Sequence, residues 1–258
     1  MADTALDLAH AEMDSGSQTA RLRFYERLAD AELFVLLAAE PDGDRIAPET
    51  FETDDGSYVL GFDREDRLAQ FVGRTAPYAA LSGRALAAML AGQGLGLGLN
   101  LDVAPSSILI PASAVDWLNE TLGNRPARID AQPVSIAAPH GLPEALLTSL
   151  DAKLATMAGL ARMAYLVSVT YAPARPGHLL AFIGAVPQAA SALSQAVGEA
   201  LTFSGLEAGE LDVGFFDPSD PIAAKLARVG LRFDLPEPEP AAQRSAPGMD
   251  PDRPPKLR

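Results

Sequence analysis

The sequence contains no cysteine in its 258 residues. A chain without thiols forms no disulfide, holds no iron–sulfur cluster and binds no zinc through cysteine, and a cytoplasmic protein is the simplest interpretation. Histidine is also scarce. His10, His140 and His178 stand far apart, and none belongs to a closely spaced pair of metal ligands. The sequence therefore predicts no metal ion and no cofactor.

Long hydrophobic runs are missing as well. A membrane-spanning helix needs roughly 18 or more consecutive apolar residues, and Gly92, Asp102 and Arg162 interrupt the most apolar segments. The first residues, Met1–Asp7, are acidic and lack the cationic segment of a secretory signal. We expect neither a membrane span nor a cleaved leader.

Basic residues are few, with 20 Lys and Arg against 34 Asp and Glu, for a net charge of −14. Nucleic-acid binding depends on cations that replace the counterions of the phosphates, so this balance predicts no nucleic-acid partner and disfavours anionic membranes. The charge is uneven. Residues 1–128 carry −10 of it and residues 129–258 carry −4.

The residues that are present predict two folded domains. Apolar residues make up 48% of the chain, which is enough to bury a core, and the length fits two modest domains. Short apolar runs alternate with helical patterns and hairpin turns, which indicates an α+β fold of two layered domains with mostly antiparallel or mixed sheets. Proline and glycine composition sets the predicted bounds: an acidic N-terminal segment over 1–19, a first domain over 20–123, a Pro-rich linker over 124–142, a second domain over 143–235 and a disordered Pro-rich tail over 236–258.

Catalytic motifs are not found. The glycines of Gly92–Gly98 do not have the spacing of a dinucleotide-binding loop, and the segment after them has strand periodicity where such a loop needs a helix. The sequence has no G-x-S-x-G elbow, S-x-x-K motif or P-loop. Acidic pairs such as Asp54 and Asp55 fit hairpin tips better than calcium loops. We assign no catalytic residue.

A few residues stand out without forming a motif. Arg84 follows the predicted helix cap Ser82, where its charge opposes the helix dipole, so it needs an anionic partner: a ligand, or a nearby carboxylate such as Asp63 or Glu65. Asn100 lies on the glycine face of the predicted strand Leu95–Leu101, where it either grips a ligand or partner, or forms the turn that ends the strand. Trp117, the single tryptophan, either edges the core or anchors an interface.

Five separated strings of the first domain resemble the N-terminal domain of the SseB family, named for enhanced serine sensitivity. They are Phe24–Leu37, Tyr58–Asp63, Pro77–Leu86, Gly98–Asp102, and Ile108–Pro111 with Trp117 and Leu118. The resemblance covers about residues 20–122, and residues 129–234 are similar in layout to the family's C-terminal domain. It implies a bacterial protein and supplies no catalytic motif, because the family name records a phenotype and not a reaction.

These observations lead to two functional hypotheses. The first is a non-enzymatic regulatory or protein-interaction module that uses the acidic first domain and the glycine face of the Leu95–Leu101 strand. The alternative is a sensor of a small molecule, such as an amino acid, with Arg84 as a carboxylate clamp. An enzyme would require titratable groups from distant segments to meet in one pocket. The candidate site for a ligand or partner consists of Tyr78, Ser82, Arg84, Asn100 and Asp102.

Overall fold

The structure is a computed structural model, and it describes residues 3–41, 43, 45–123, 133–172, 175–205 and 211–237. The helices are α1 (Ala5–Met13), α2 (Gln18–Asp30), α3 (Glu65–Val72), α4 (Gly83–Leu90), α5 (Ala112–Gly123), α6 (Glu144–Ala155), α7 (Ala190–Phe203) and α8 (Pro221–Val229). The strands are β1 (Glu32–Leu36), β2 (Thr50–Thr53), β3 (Gly56–Phe62), β4 (Tyr78–Ser82), β5 (Leu95–Leu99), β6 (Ile108–Ile110), β7 (Pro133–Ala137), β8 (Met163–Tyr171), β9 (Arg175–Ile183), β10 (Leu211–Phe216) and β11 (Leu231–Asp234).

The first sheet is mixed and has the strand order β4-β1-β3-β5-β6, with β2 paired to β3. Strands β3 and β5 run parallel, and the remaining pairs are antiparallel. The main core lies where α2, α4 and α5 pack on one face of the sheet, around Phe24, Leu33 and Leu99. On the opposite face α3 covers a smaller cluster that contains Phe62 and Leu68.

The second sheet has the order β10-β9-β8-β11, and β7 pairs with the far end of β8. Strands β9 and β10 run parallel and the other pairs are antiparallel. Side chains of β8 alternate between two cores, because successive residues of a strand point to opposite faces. Leu166 joins the core formed with α6 and α7, and Val167 joins the core under α8.

The predicted α+β class is confirmed, with two mixed sheets. Three elements were not predicted: α1, β2 and β7. Strand β7 corrects part of the predicted linker, since residues 133–137 pair with β8; residues 124–132 and the predicted tail from residue 238 onward lie outside the described residues. In the described residues no helix combines the length and apolar character that crossing a membrane requires.

The string Ser82–Arg84 is shaped by one close approach of backbone to backbone. Ser82 caps α4, as predicted, by accepting a hydrogen bond from the N–H of Ala85 at 3.3 Å. Gly83 donates its N–H to the carbonyl of Ala31 at 2.8 Å. A methyl group at Gly83 would lie 1.8 Å from the carbonyl oxygen of Leu28, so only glycine lets α4 start against the end of α2.

We expect Gly83→Ala to destabilise the fold by about 3 kcal/mol, because the new methyl group meets backbone that cannot turn aside. Gly123→Ala is the matched control, since a methyl group there meets nothing within 4 Å. Urea unfolding followed by circular dichroism measures both free energies of unfolding. Equal stabilities of the two variants would contradict the close approach.

Candidate functional site

The five residues of the predicted site do not converge. Ser82 and Arg84 border one cavity, at the junction of α2 and α4 with α7. Tyr78 is 38% exposed at the opposite end of β4, where its ring packs edge-on against Phe34. Asn100 is fully buried and Asp102 is exposed in the turn that follows β5. The five residues therefore do not line one cavity, and they divide between two polar clusters and the surface.

Arg84 is held by two carboxylates that sequence reasoning did not select. Its Nη1 donates to Oε1 of Glu199 at 2.9 Å and its Nη2 donates to Oδ1 of Asp30 at 2.6 Å. The predicted partners Asp63 and Glu65 are therefore wrong. Glu199 lies 115 residues further along the chain, on α7, so this contact joins helices that pack on different sheets.

A buried lysine completes this group of charges. The Nζ of Lys153, on α6, lies 2.7 Å from Oδ2 of Asp30 and 2.7 Å from Oε2 of Glu199. Lys153 and Glu199 are each 3% exposed. A buried ammonium is tolerated only when carboxylates pair with it, so these contacts fix the positions of α2, α6 and α7 relative to one another.

Glu26 is the remaining acidic member, and it is 5% exposed. Its carboxylate accepts a hydrogen bond from the hydroxyl of Ser149 at 3.0 Å, which links α2 to α6 a second time. We call the five residues of this group the inter-sheet ion cluster: Glu26, Asp30, Arg84, Lys153 and Glu199. Three carboxylates thus share two cations.

The pKa values of the Glu26 and Glu199 carboxylates are shifted in opposite directions. For Glu199, burial favours the neutral acid, but the hydrogen bond from Arg84 and the charge of Lys153 outweigh it and lower the pKa. For Glu26, burial dominates over the nearby Lys153 and the Ser149 hydroxyl, and the pKa is raised. The cluster therefore keeps Glu199 ionised and favours protonation of Glu26, which reduces the excess of negative charge.

A cavity of about 300 Å³ lies beside this cluster. Its lining residues are Ala29, Asp30, Ser82, Arg84, Thr156, Met157, Ala192, Gln195, Ala196 and Glu199. The polar members already have partners within the protein; Gln195, for example, donates to Glu199 and to the carbonyl of Leu122, both at 3.1 Å. A carboxylate ligand here would compete with Asp30 and Glu199 for the guanidinium of Arg84.

Asn100 belongs to a second, fully buried polar cluster, beneath α1. Its side-chain oxygen accepts from the N–H of Asp63 at 3.0 Å, and its amide donates to the hydroxyl of Ser106 at 2.8 Å. Its positive φ of 48° makes it the turn that ends β5, which is the second of the two predicted roles. No part of its side chain is left for a ligand.

The same cluster anchors α1. The carboxylate of Asp7, on this helix, accepts hydrogen bonds from both terminal nitrogens of the Arg67 guanidinium. It also accepts a hydrogen bond from the hydroxyl of Ser106 at 2.6 Å. Burial alone would raise the pKa of Asp7, but these donors together with the N–H of Thr4 hold it well below its usual range. Residues 1–19, predicted as an acidic segment, thus include a helix whose carboxylate is buried and paired.

The glycine face of β5 is covered, which corrects the predicted contact surface. Gly96 and Gly98 are buried, and the ring of Tyr58 lies so close over Gly96 that a methyl group there would approach its carbons to 2.5 Å. Phe51 and Leu101 lie over Gly98. The glycines admit these side chains and present no open surface to a partner.

A second cavity, larger than the one beside Arg84, was missed from the sequence. It is a groove of about 800 Å³ between β7 and α8. We call it the β7–α8 groove; its lining residues are Pro133, Val134, Ser135, Ile136, Phe216, Asp220, Pro221, Ile222, Lys225, Arg228 and Val229. The signal available in the sequence was the apolar alternation of Val134 and Ile136, which the surrounding prolines obscured.

Two histidines tie the loop after β7 to the second sheet. His140 Nδ1 lies 2.9 Å from the hydroxyl of Ser168, whose oxygen also accepts the N–H of His140 at 3.3 Å. His178 Nε2 lies 3.0 Å from the carbonyl of His140. Among the described residues, no carboxylate orients His140 and no group of three or more His, Asp or Glu is placed to hold a metal. These contacts secure the loop.

The fold and the buried clusters define a two-sheet α+β protein with fixed polar contacts between its halves. Residues 4–117 match the family model described as the SseB protein N-terminal domain. Residues 4–117 are therefore an SseB family domain, and this span runs from the cap of α1 into α5, so it includes Arg84 and Asn100. A search of curated proteins found no match, and a search of solved structures also found none.

The opposite pKa shifts of Glu26 and Glu199 predict opposite effects of pH on the stability of two variants. Glu199→Gln removes the charge that pairs with the buried Lys153 and the half-buried Arg84, and it should cost about 3 kcal/mol at pH 7. Because the folded-state pKa of Glu199 lies below the unfolded value of 4.5, this difference should shrink as pH falls through and below 4.5.

Glu26→Gln is the matched control with the opposite sign. Because the pKa of Glu26 is raised, the folded state binds the proton of this carboxyl group more tightly than the unfolded state does. Ionisation of Glu26 therefore reduces wild-type stability as pH rises above 4.5. The variant should gain stability relative to wild type between pH 4.5 and pH 7. Urea unfolding across this range measures both; parallel pH profiles for the two variants would contradict the assignment.

Proposed function

We propose that this protein, which contains an SseB family domain, is a non-enzymatic regulatory or protein-interaction module that binds a partner protein at the β7–α8 groove. The observation that carries the proposal is Val134, which is 73% exposed on strand β7 at the border of the groove. It is the most exposed of the large hydrophobic side chains in the described residues.

An exposed apolar side chain on a strand at the edge of a sheet has a physical cost. Such an edge can pair with other chains and aggregate, and soluble proteins usually protect it with charges, bulges or a covering segment. Next to Val134 the groove continues with the apolar side chains of Ile136, Ile222 and Val229. An apolar strand edge that opens into an apolar groove is suited to a protein partner.

This proposal moves the contact surface from the first half to the second. The glycine face of β5 is covered by Phe51, Tyr58 and Leu101, whereas the β7–α8 groove is open. We further propose that residues 20–123 and 143–235 are two domains that stay docked through the inter-sheet ion cluster. We also propose that the protein is bacterial, as the family resemblance implies, and cytoplasmic, as its lack of cysteine favours.

A small-molecule sensor is the second candidate, and the cavity beside Arg84 favours it. An amino acid could enter a space of about 300 Å³, with Ser82 at its border. It ranks second because Arg84 is already paired with Asp30 and Glu199. A ligand that binds the folded state must raise the melting temperature in proportion to its occupancy. No thermal shift with any of the twenty amino acids at roughly 10 mM would exclude this role, given affinities in the micromolar range.

We expect Val134→Ser to weaken partner binding about tenfold, since it removes an apolar contact worth roughly 1.5 kcal/mol. Val186→Ser is the matched control, because Val186 is 43% exposed and lies outside the groove. Tagged wild type and both variants are compared for the proteins that each retains from the same extract. We expect that wild type and Val186→Ser retain a partner protein that Val134→Ser loses. Identical retention by all three chains would refute the proposal.

A further inference from the structure

We infer that the partner supplies an extended acidic segment, which adds to the second sheet as a strand beside β7 and places its carboxylates against Lys225 and Arg228. The inference rests on the proposed function and specifies the chemistry of the partner. It combines three features of the β7–α8 groove: a strand edge, an apolar floor and a pair of cations.

The strand edge is the first feature. In the described part of the chain β8 is the one strand that pairs with β7, in the register Ile136 opposite Val169. Among the described residues, 133–137 make no backbone hydrogen bond other than those of their pairing with β8. The outer N–H and C=O groups of residues 135–137 can therefore accept an added strand; between Pro133 and Ser135 the register with β8 is irregular, and Pro133 is compatible with an edge position.

The floor of the groove sets the side-chain pattern of the added strand. Ile136 from β7 and Ile222 and Val229 from α8 pack on the core under this helix. Side chains of an added strand alternate between the two faces of the sheet. The set that faces α8 enters the groove, where both the apolar floor and the cations of this helix lie, so a segment that carries apolar and acidic residues on this one face fits.

The cations set the charge of the partner. Lys225 and Arg228 are exposed and lie three residues apart on α8, on neighbouring positions of one helix face. Among the described residues neither forms an ion pair. The acidic lining residue Asp220 precedes the first turn of α8, and its carboxylate accepts the N–H of Asp217 at 2.8 Å. An acidic segment therefore complements the cationic end of the groove.

Two other occupants fit less well. A second copy pairing through β7 would bring two pairs of Lys225 and Arg228 together, and like charges repel. The chain's own acidic segment, 236–240, has proline at every second position, and proline has no N–H with which to join a sheet. A separate acidic segment meets neither objection.

The experiment uses the full chain and a fluorescent ten-residue peptide that has Val and Glu in turn at every second position and Thr at the positions between them. A second peptide has Lys in place of Glu. Fluorescence anisotropy should show binding of the Glu peptide and at least about tenfold weaker binding of the Lys peptide, since two surface charge pairs are lost. Failure of the Glu peptide to bind at 1 mM, or equal binding of the two peptides, overturns the inference.

A charge-swapped variant tests the two cations. Lys225→Glu with Arg228→Glu should reverse the preference, so that the Lys peptide binds more tightly. The matched control is Arg74→Glu with Arg162→Glu, which changes the net charge equally at two exposed arginines outside the groove and should keep the wild-type preference. Reversal by both double variants would show a response to overall charge and would overturn the inference.

Backbone pairing is tested with the Glu peptide N-methylated at alternate residues. Methylation along the edge that faces β7 removes the donors and should reduce affinity about tenfold, whereas methylation along the other edge should not. Equal effects on both edges overturn strand addition. The two proposals can fail separately: if Val134→Ser loses a partner protein but the Glu peptide does not bind, the interaction module stands and the acidic strand falls.

Discussion

The buried ammonium of Lys153 is the constraint on which the arrangement of the two halves depends. A lysine that is 3% exposed must have its charge compensated, and its partners Asp30 and Glu199 come from different helices. The desolvation penalty of these charged groups offsets much of their electrostatic attraction. The cluster therefore contributes less to the free energy of unfolding than to the choice of one docking geometry. Phe203, at the end of α7, adds apolar contact by entering the core of the first half.

The docking geometry determines which surfaces remain for function. Helices α6 and α7 cover one face of the second sheet and also carry Lys153 and Glu199, so this face is directed at the first half. Helix α8 covers the opposite face of the sheet, away from the cluster, and strand β7 lies at the edge of the sheet beside β8. The β7–α8 groove therefore stays accessible while the halves are docked, and a partner can bind there without breaking a buried ion pair.

Features that depend on neighbouring residues could be predicted from the sequence, whereas those that depend on distant residues could not. The cap at Ser82 and the turn at Asn100 follow from local backbone chemistry, and both are confirmed. The partners of Arg84 are set by how α2 and α7 pack, which no spacing encodes. Asp7 fell within the predicted acidic segment, and its pairing could not be predicted because Arg67, which neutralises it, is 60 residues away. Strand β7 was missed because edge strands tolerate the proline that elsewhere marks a linker.

The position of Lys225 and Arg228 determines how an acidic partner can bind a chain whose net charge is negative. A net charge of −14 repels an acidic partner at long range, yet the groove presents Lys225 and Arg228 to it. Salt at physiological concentration screens charges beyond roughly 8 Å, so most of the repulsion is weakened before contact. Direct pairs formed at hydrogen-bond distance inside a partly apolar groove are screened much less. The proposed acidic segment would therefore draw its affinity from direct contacts in the groove and not from the net charge of the protein.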